Sequence, residues 1–418
     1  QISNREMVSQ SRKLTSVLKN LGVGRGDRVI IQTPNCPEVF WAFSAAWRLG
    51  AVIVPINYMI GEAETAYIYR DSGANVLISS KAFVPKIRAA RAQADNIKTL
   101  ILTDDDAPED ALSYRKLVAD APEETFIADT NPDDMAALIY TAGTTGKPKG
   151  VIHTHGSLYA NALMQHQTYP PTDGLTYVSI LPLCHSYGIA SSNVGLFRTS
   201  SMVLLNSFDL DVIFSSIEKY RASIMAAVPT MYVYMLMYPE PKKYDLSSMK
   251  YWICGSAPLA VETWNRFKEI YGFEIIEGWG LTEAGANNSC NPWEGKKKIG
   301  SIGLPMKGTE MKLTPVPLVW IRRQKSVGAI RRQEDIEQSR IEEYGMKTHL
   351  TILLAAVFLL TGCEKARLDQ QVKELCAKDG GIKVYETVKL PAERFDQRGM
   401  INNYRPTQGE NALGPEYI

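Results

Sequence analysis

The sequence predicts an α/β fold over residues 1–313, because helix-period runs alternate with short strand-like runs along that whole stretch. Met7, Leu14, Val17, Leu18 and Leu21 stand at helical spacing, and Gly22-Val-Gly-Arg-Gly-Asp27 breaks that helix before the strand Arg28–Gln32. Val39 to Leu49 repeats the helix and Ala51-Val-Ile-Val-Pro55 the strand. Asn75-Val-Leu-Ile-Ser79 and Thr99-Leu-Ile-Leu-Thr103 read as further short strands. Asp104 to Asp134, rich in Asp, Glu and Pro, reads as a surface connection ahead of the strand Met135–Tyr140.

Composition narrows the function classes. The 418 residues are 45% hydrophobic and 22% charged, which suits an ordinary globular protein and excludes a collagenous or mainly disordered one. Lys and Arg number 46 against 45 Asp and Glu, so the overall charge does not call for nucleic acid or an anionic membrane. The six cysteines (Cys36, Cys184, Cys254, Cys290, Cys363, Cys376) form no CxxC pair and no metal-ligand spacing, which favours a reducing, cytoplasmic compartment. The chain opens at Gln1 in a polar stretch that reads as the start of a fragment.

The rhythm fails after Leu313. Residues 314–345, dominated by Arg, Gln and Glu, read as a charged linker or solvated helix. From Met346-Lys-Thr-His a short apolar run, Leu350 to Gly362, ends in Leu360-Thr-Gly-Cys363, an order that resembles a bacterial lipoprotein signal with its lipobox. Such signals belong at an N-terminus, so residues 346–418 read as an unrelated, partly helical or disordered tail, a separate small frame joined to the first protein. A buried core helix is the alternative, and membrane association through residues 350–363 is the consequence to test.

The strongest local signal is Tyr140-Thr-Ala-Gly-Thr-Thr-Gly-Lys-Pro-Lys-Gly150, directly after an apolar strand. Glycines allow close approach, and exposed backbone N–H groups and hydroxyls suit a phosphate chain. It is not the nucleoside triphosphatase loop GxxxxGK[ST], because Pro148 stands five residues after Gly143 and Gly150 follows Lys149. Nor is Gly22-Val-Gly-Arg-Gly a GxGxxG turn, since Asp27 occupies the place of the last glycine.

The run Tyr140 to Val151 closely resembles the signature loop of acyl- and aryl-CoA synthetases, members of the adenylate-forming superfamily. Leu181-Pro-Leu-Cys-His-Ser-Tyr-Gly188, Gly255-Ser-Ala-Pro-Leu259, Glu277-Gly-Trp-Gly-Leu-Thr-Glu283 and Gly300-Ser-Ile-Gly-Leu-Pro305 then follow in that family's order. The resemblance covers about Gln1 to Leu313 and implies the layered, two-subdomain large domain of an ATP-dependent carboxylate–CoA ligase. It implies ATP, Mg2+ and coenzyme A as cofactor and co-substrates, and a carboxylic acid, foremost a fatty acid, as substrate.

By the same resemblance Thr141, Ala142, Gly143, Thr144, Thr145, Gly146 and Lys149 hold the phosphates, with Lys149 as a point charge. Glu283 is the Mg2+ partner with Thr141 as second contact, and Thr282 touches the α-phosphate. Gly255, Ser256 and Ala257 form a small-residue wall against adenine. Glu277, Gly278, Trp279 and Gly280 complete that side; Trp279, where the family commonly has Tyr, either stacks on adenine or lines the acyl pocket. His185 either lies beside the substrate carboxylate or is a packed structural residue, while Lys147 faces solvent. His153 and His155 lack a third ligand and read as structural. The Met- and Tyr-rich stretch Ala226 to Met237 either borders an acyl pocket or is core.

The family's ribose-binding Asp, its hinge and its C-terminal catalytic Lys have no counterpart after Gly300, and its opening strands are missing before Gln1. The expectation is therefore a large domain truncated at both ends and impaired in catalysis. The alternative is a non-catalytic, truncated or chimeric product that at most binds ATP or an acyl ligand.

Overall fold

The structure, a computed structural model, describes residues 1–142, 147–169, 174–197 and 200–311. The expected tail, residues 314–418, lies outside the described residues, and with it the Leu350–Cys363 segment.

The first half of the chain supplies β1 (Arg28–Gln32), β2 (Val52–Pro55), β3 (Val76–Ser79), β4 (Thr99–Leu102), β5 (Leu112–Ser113), β6 (Met135–Thr141) and β7 (Lys149–Thr154). Among the described residues they form one sheet in the order β5-β4-β3-β1-β2-β6-β7, parallel except where β7 turns back on β6. The second half supplies β8 (Thr176–Ser179), β9 (Ser201–Leu204), β10 (Ile224–Ala227), β11 (Tyr251–Cys254), β12 (Ile275–Trp279), β13 (Ser289–Cys290) and β14 (Leu304–Pro305). These lie in the order β14-β13-β12-β11-β10-β8-β9, with β13 antiparallel to both neighbours and the rest parallel.

Helices cover both faces of the parallel strands, which is why those strands read as unbroken apolar runs. Val29, Ile31, Ile53, Val76 and Ile78 share a core with α1 (Asn4–Asn20) and α2 (Pro37–Arg48). The alternate residues Ile30, Val54 and Leu77 share one with α3 (Glu62–Ser72) and α4 (Val84–Arg91), as the two-residue period of a strand requires.

The stretch Asp104–Asp134 is not merely a surface connection. It contains β5 and α5 (Tyr114–Ala119), whose Tyr114 and Val118 are buried in the α1–α2 core, with Tyr114 stacked on Trp41. The element is one short helix, below the length at which periodicity declares itself.

In the second half α6 (His155–Thr168), α7 (Ser186–Phe197), α8 (Leu210–Tyr220), α9 (Pro229–Leu236) and α10 (Val261–Tyr271) flank the sheet. Trp252, Tyr232, Phe214 and Phe267 centre its core, so the Met- and Tyr-rich stretch supplies core residues such as Tyr232 and Met235. One asparagine joins the halves: Asn35 Nδ2 donates to the carbonyls of Leu181 (3.0 Å) and Leu205 (3.1 Å), and its Oδ1 accepts from the Leu183 N–H (2.9 Å).

Candidate active site

The β6–β7 hairpin sets Thr141 directly opposite Lys149. Gly143, Thr144, Thr145 and Gly146, which join the two arms, lie outside the described residues. The Tyr140 hydroxyl, donating to Asp71 Oδ2 at 2.5 Å, ties the first arm to α3. Thr141 is half-buried, and Ala142 and Lys149 are exposed. Lys147 is exposed as well, and its Nζ lies over the Tyr67 ring at 5.9 Å.

Strand β12 ends at Trp279 and runs through Gly280 into a 3-10 turn, Thr282–Ala284. Gly280 is required there, because a Cβ would fall 1.2 Å from the Ala286 carbonyl oxygen. Asn288 holds the turn from both sides, donating to the Ala284 carbonyl (2.8 Å) and accepting from the Leu281 N–H (3.2 Å). Thr282 is buried, and its hydroxyl lies 2.8 Å from that of Ser186 at the start of α7. Glu283 is exposed, and among the described residues no hydrogen bond or ion pair engages its carboxylate. The turn packs against β7, so that Glu283's charge is felt by the buried His153.

Strands β10, β11 and β12 run parallel, so their C-terminal ends open on one edge, the usual place for a ligand in such a sheet. Gly255 leaves β11 there, and the space a Cβ would need is taken by the Tyr187 ring at 3.1 Å. Ser256, exposed beside the exposed Ala257, has φ +77, a left-handed conformation that a non-glycine residue adopts only under strain. Trp279 is half-buried and Gly278 is paired with Cys290 in the ladder.

Glu277 is placed differently from its neighbours. Its side chain is buried, and its carboxylate accepts the N–H of Gly300 at 3.0 Å and the N–H of Leu259. Burial pushes its pKa up to about 7, against the pull of those two donors. Glu277 is thus a strut between β12 and the loops at 259 and 300.

His185, an exposed residue, immediately precedes α7, and its Nδ1 accepts the Tyr187 N–H at 3.2 Å. Protein atoms crowding its inner side shift its pKa below the ordinary histidine value. His153, on β7, is buried, while His155 opens α6 and is half-buried. Among the described residues no group of three or more His, Cys, Asp or Glu side chains is placed to hold a metal ion by itself. An exposed, unengaged carboxylate such as Glu283 nevertheless fits Mg2+, which binds through one or two carboxylates together with substrate phosphates and water.

Sequence reasoning did not single out Asn161, Gln165 and Asn287. Gln165 Nε2 donates to Asn161 Oδ1 at 2.7 Å, and Asn287 Nδ2 donates to Gln165 Oε1 at 2.7 Å, all three side chains being buried. They tie α6 to the segment that follows Thr282–Glu283. The signal was a pair of amides four residues apart on one helix, Asn161 and Gln165, but their partner is 122 residues from Gln165. Among the described residues no helix is long and apolar enough to cross a membrane.

A family model described as AMP-binding enzyme matches residues 1–317. The chain is 31% identical over 340 residues to a long-chain-fatty-acid–CoA ligase of Bacillus subtilis (strain 168), covering 73% of this chain and 60% of that protein. It is 32% identical over 314 residues to 4-coumarate–CoA ligase 3 of Arabidopsis thaliana, covering 72% of this chain and 55% of that one. The crystal structure of ATP-bound MatB from Rhodopseudomonas palustris superposes with a TM-score of 0.67 at 30% identity, covering 73% of this chain and 60% of that one. The chain thus spans 55% to 60% of the length of these two curated relatives.

Proposed function

The chain belongs to the AMP-binding enzyme family, and from that premise we propose that it is the nucleotide- and acyl-binding part of an ATP-dependent carboxylate–CoA ligase. In the reaction a carboxylate oxygen attacks the α-phosphate of ATP and pyrophosphate leaves; the thiol of coenzyme A, losing its proton, then attacks the acyl carbon and AMP leaves. Such chemistry depends on positioning and charge neutralisation, and the residues are read accordingly. Lys149 neutralises phosphate charge, while the hydroxyls of Thr141 and Thr282 donate to phosphate oxygens. The Gly/Thr segment 142–146 is assigned to the same phosphates on the resemblance of its sequence alone.

Glu283, with Thr141 beside the phosphates, would hold Mg2+, which when bound shields the phosphate charge from the incoming carboxylate. Ser256 and Ala257, both exposed, wall the adenine slot, with Gly255 leaving room for the Tyr187 ring; Trp279 stacks on adenine or lines the acyl pocket, and His185 stands beside the acid. A fatty acid is the first choice of substrate and an aromatic acid the second, in keeping with the two kinds of ligase to which the chain is similar. Residues 1–313 form the working domain in this reading, with a charged linker to 345 and a separate tail beyond. The four described cysteines, Cys36, Cys184, Cys254 and Cys290, are free thiols, which supports a reducing, cytoplasmic setting for this part.

The observation that carries the proposal is the hairpin that sets Lys149 opposite Thr141 at the mouth of the Gly/Thr loop, with the unengaged Glu283 on a turn packed against the same strand. Titration of the full chain with MgATP by calorimetry tests it. Lys149→Ala should weaken binding about tenfold, the effect of one charge-assisted hydrogen bond. Equal affinities, or no heat from the wild type at millimolar ATP, overturn the proposal.

A further inference from the structure

Strand β7, helices α6 and α7 and the Thr282–Ala284 turn meet around a small pocket lined by Ile139, His153, Asn161, Ser186, Asn193 and Gly285. It has room for about one water molecule. The fold leaves one of its polar walls unpaired. His153 is 4% exposed, and its Nε2 is buried with no hydrogen-bond partner among the described residues. Ser186, also 4% exposed, reaches Thr282 Oγ1 at 2.8 Å, and either hydroxyl can be the donor of that bond.

The direction of the Ser186–Thr282 bond decides what Thr282 can do. A threonine that donates to Ser186 has no proton left for an anionic oxygen, whereas one that accepts from Ser186 keeps its own proton free. A water that donates to both His153 Nε2 and Ser186 Oγ would set that direction. With His153 Nε2 accepting one of its protons and Ser186 Oγ the other, the Ser186 proton points to Thr282, and the Thr282 proton is left for the ligand. The unpaired nitrogen and the water-sized space thus account for each other, as buried polar groups and internal waters ordinarily do.

We propose that His153 and Ser186 hold one ordered water, and that the chain His153–water–Ser186–Thr282 orients the Thr282 hydroxyl as a phosphate donor. His153 and Ser186 are positioning residues in this scheme, since neither touches the nucleotide. The role given to Thr282 rests on the function proposed above; the water site does not.

Two measurements on the full chain separate those parts. A high-resolution crystal structure should show a solvent peak within hydrogen-bond reach of both His153 Nε2 and Ser186 Oγ; an empty pocket, or a peak touching neither, overturns the site. MgATP calorimetry should then find that His153→Leu and Ser186→Ala each weaken binding about fivefold, the effect of one net hydrogen bond. The double variant should be no weaker than about the worse single one, because both changes break one chain. His153→Gln, whose amide can still hold the water, should recover most of the affinity. Losses that multiply in the double variant, or a glutamine no better than leucine, overturn the relay. Thermal melts identify any variant that fails to fold, and Ser186→Ala and His153→Gln then carry the comparison. A wild type that binds no MgATP refutes the ligase reading, while the crystal structure still decides the water site.

Discussion

Burying Glu277 makes the stability of this protein depend on pH in a defined window. The residue, 8% exposed, sits in the middle of β12 opposite Cys254 of β11, and its carboxyl accepts two backbone N–H groups. Desolvation dominates and raises its pKa from the ordinary 4.5 to about 7. Below about 4.5 both the folded and unfolded chains hold the proton. Between 4.5 and about 7 the folded protein keeps it while the unfolded chain has lost it, so this group's contribution to stability declines as pH rises through that window. Above about 7 both states are ionised, and the folded state carries the full penalty of a buried charge. The difference between 4.5 and about 7 converts to roughly 3 kcal/mol. Glu277→Gln replaces the carboxyl by a neutral group of the same shape and should remove the slope. The assay is urea denaturation of both proteins from pH 4.5 to 8, comparing unfolding free energies at each pH so that all other titrations cancel. The gap between the variant and the wild type should move in the variant's favour by roughly 3 kcal/mol as pH rises through the window. A gap that stays constant across this range refutes the reasoning.

Three further outcomes follow from the same geometry. Gly280→Ala should destabilise the protein by about 3 kcal/mol or more, because its Cβ would overlap the Ala286 carbonyl and force the Thr282–Ala284 turn to move; a denaturation midpoint equal to wild type would contradict the turn as described. Ser256→Val should lower stability by roughly 1–2 kcal/mol through strain at φ +77, while Ser256→Gly should not lower it; the same denaturation series, with the two variants ranked the other way, would exclude a left-handed residue there. Asn35→Ala should cost about 2–4 kcal/mol, since it strips partners from the Leu183 N–H and the carbonyls of Leu181 and Leu205; calorimetric unfolding that shows no loss would contradict the buried hydrogen bonds of Asn35.

The parts of the fold legible in the sequence are those whose physics is local. Strands β1 to β4 announce themselves because a strand buried on both faces reads as a nearly continuous apolar run, β6 does so by its run Met135–Ile139, and the glycine turn before Arg28 marks where the first one starts. β5 and α5 escape because the Asp- and Glu-rich run around them masks a single buried pair, Tyr114 and Val118. The site divides in the same way. Thr141, Lys149, Thr282 and Glu283 stand in short contiguous motifs, so resemblance can pick them out one by one. What the motifs omit is what holds each residue: Ser186 is 96 positions from Thr282, Asn35 is 146 from Leu181, and Asn287 is 122 from Gln165.

Those distant polar contacts share a physical logic that apolar patterning cannot supply. An apolar core tolerates small slips, since one aliphatic contact replaces another at little loss. A buried amide or hydroxyl has a discrete set of partners and loses them all when it shifts. Asn35 fixes the Leu181–Leu183 segment, and with it His185 and Ser186 at the head of α7, against the first sheet. Ser186 in turn meets Thr282, and the Asn161–Gln165–Asn287 chain binds α6, the helix that follows β7, to the segment just beyond Glu283. The Ser186–Thr282 link joins two of the motifs directly, and the others tie a motif, or the segment beside one, to the surrounding fold. The motifs, scattered over more than a hundred residues of sequence, are therefore brought to one place by polar contacts among residues that no single motif contains.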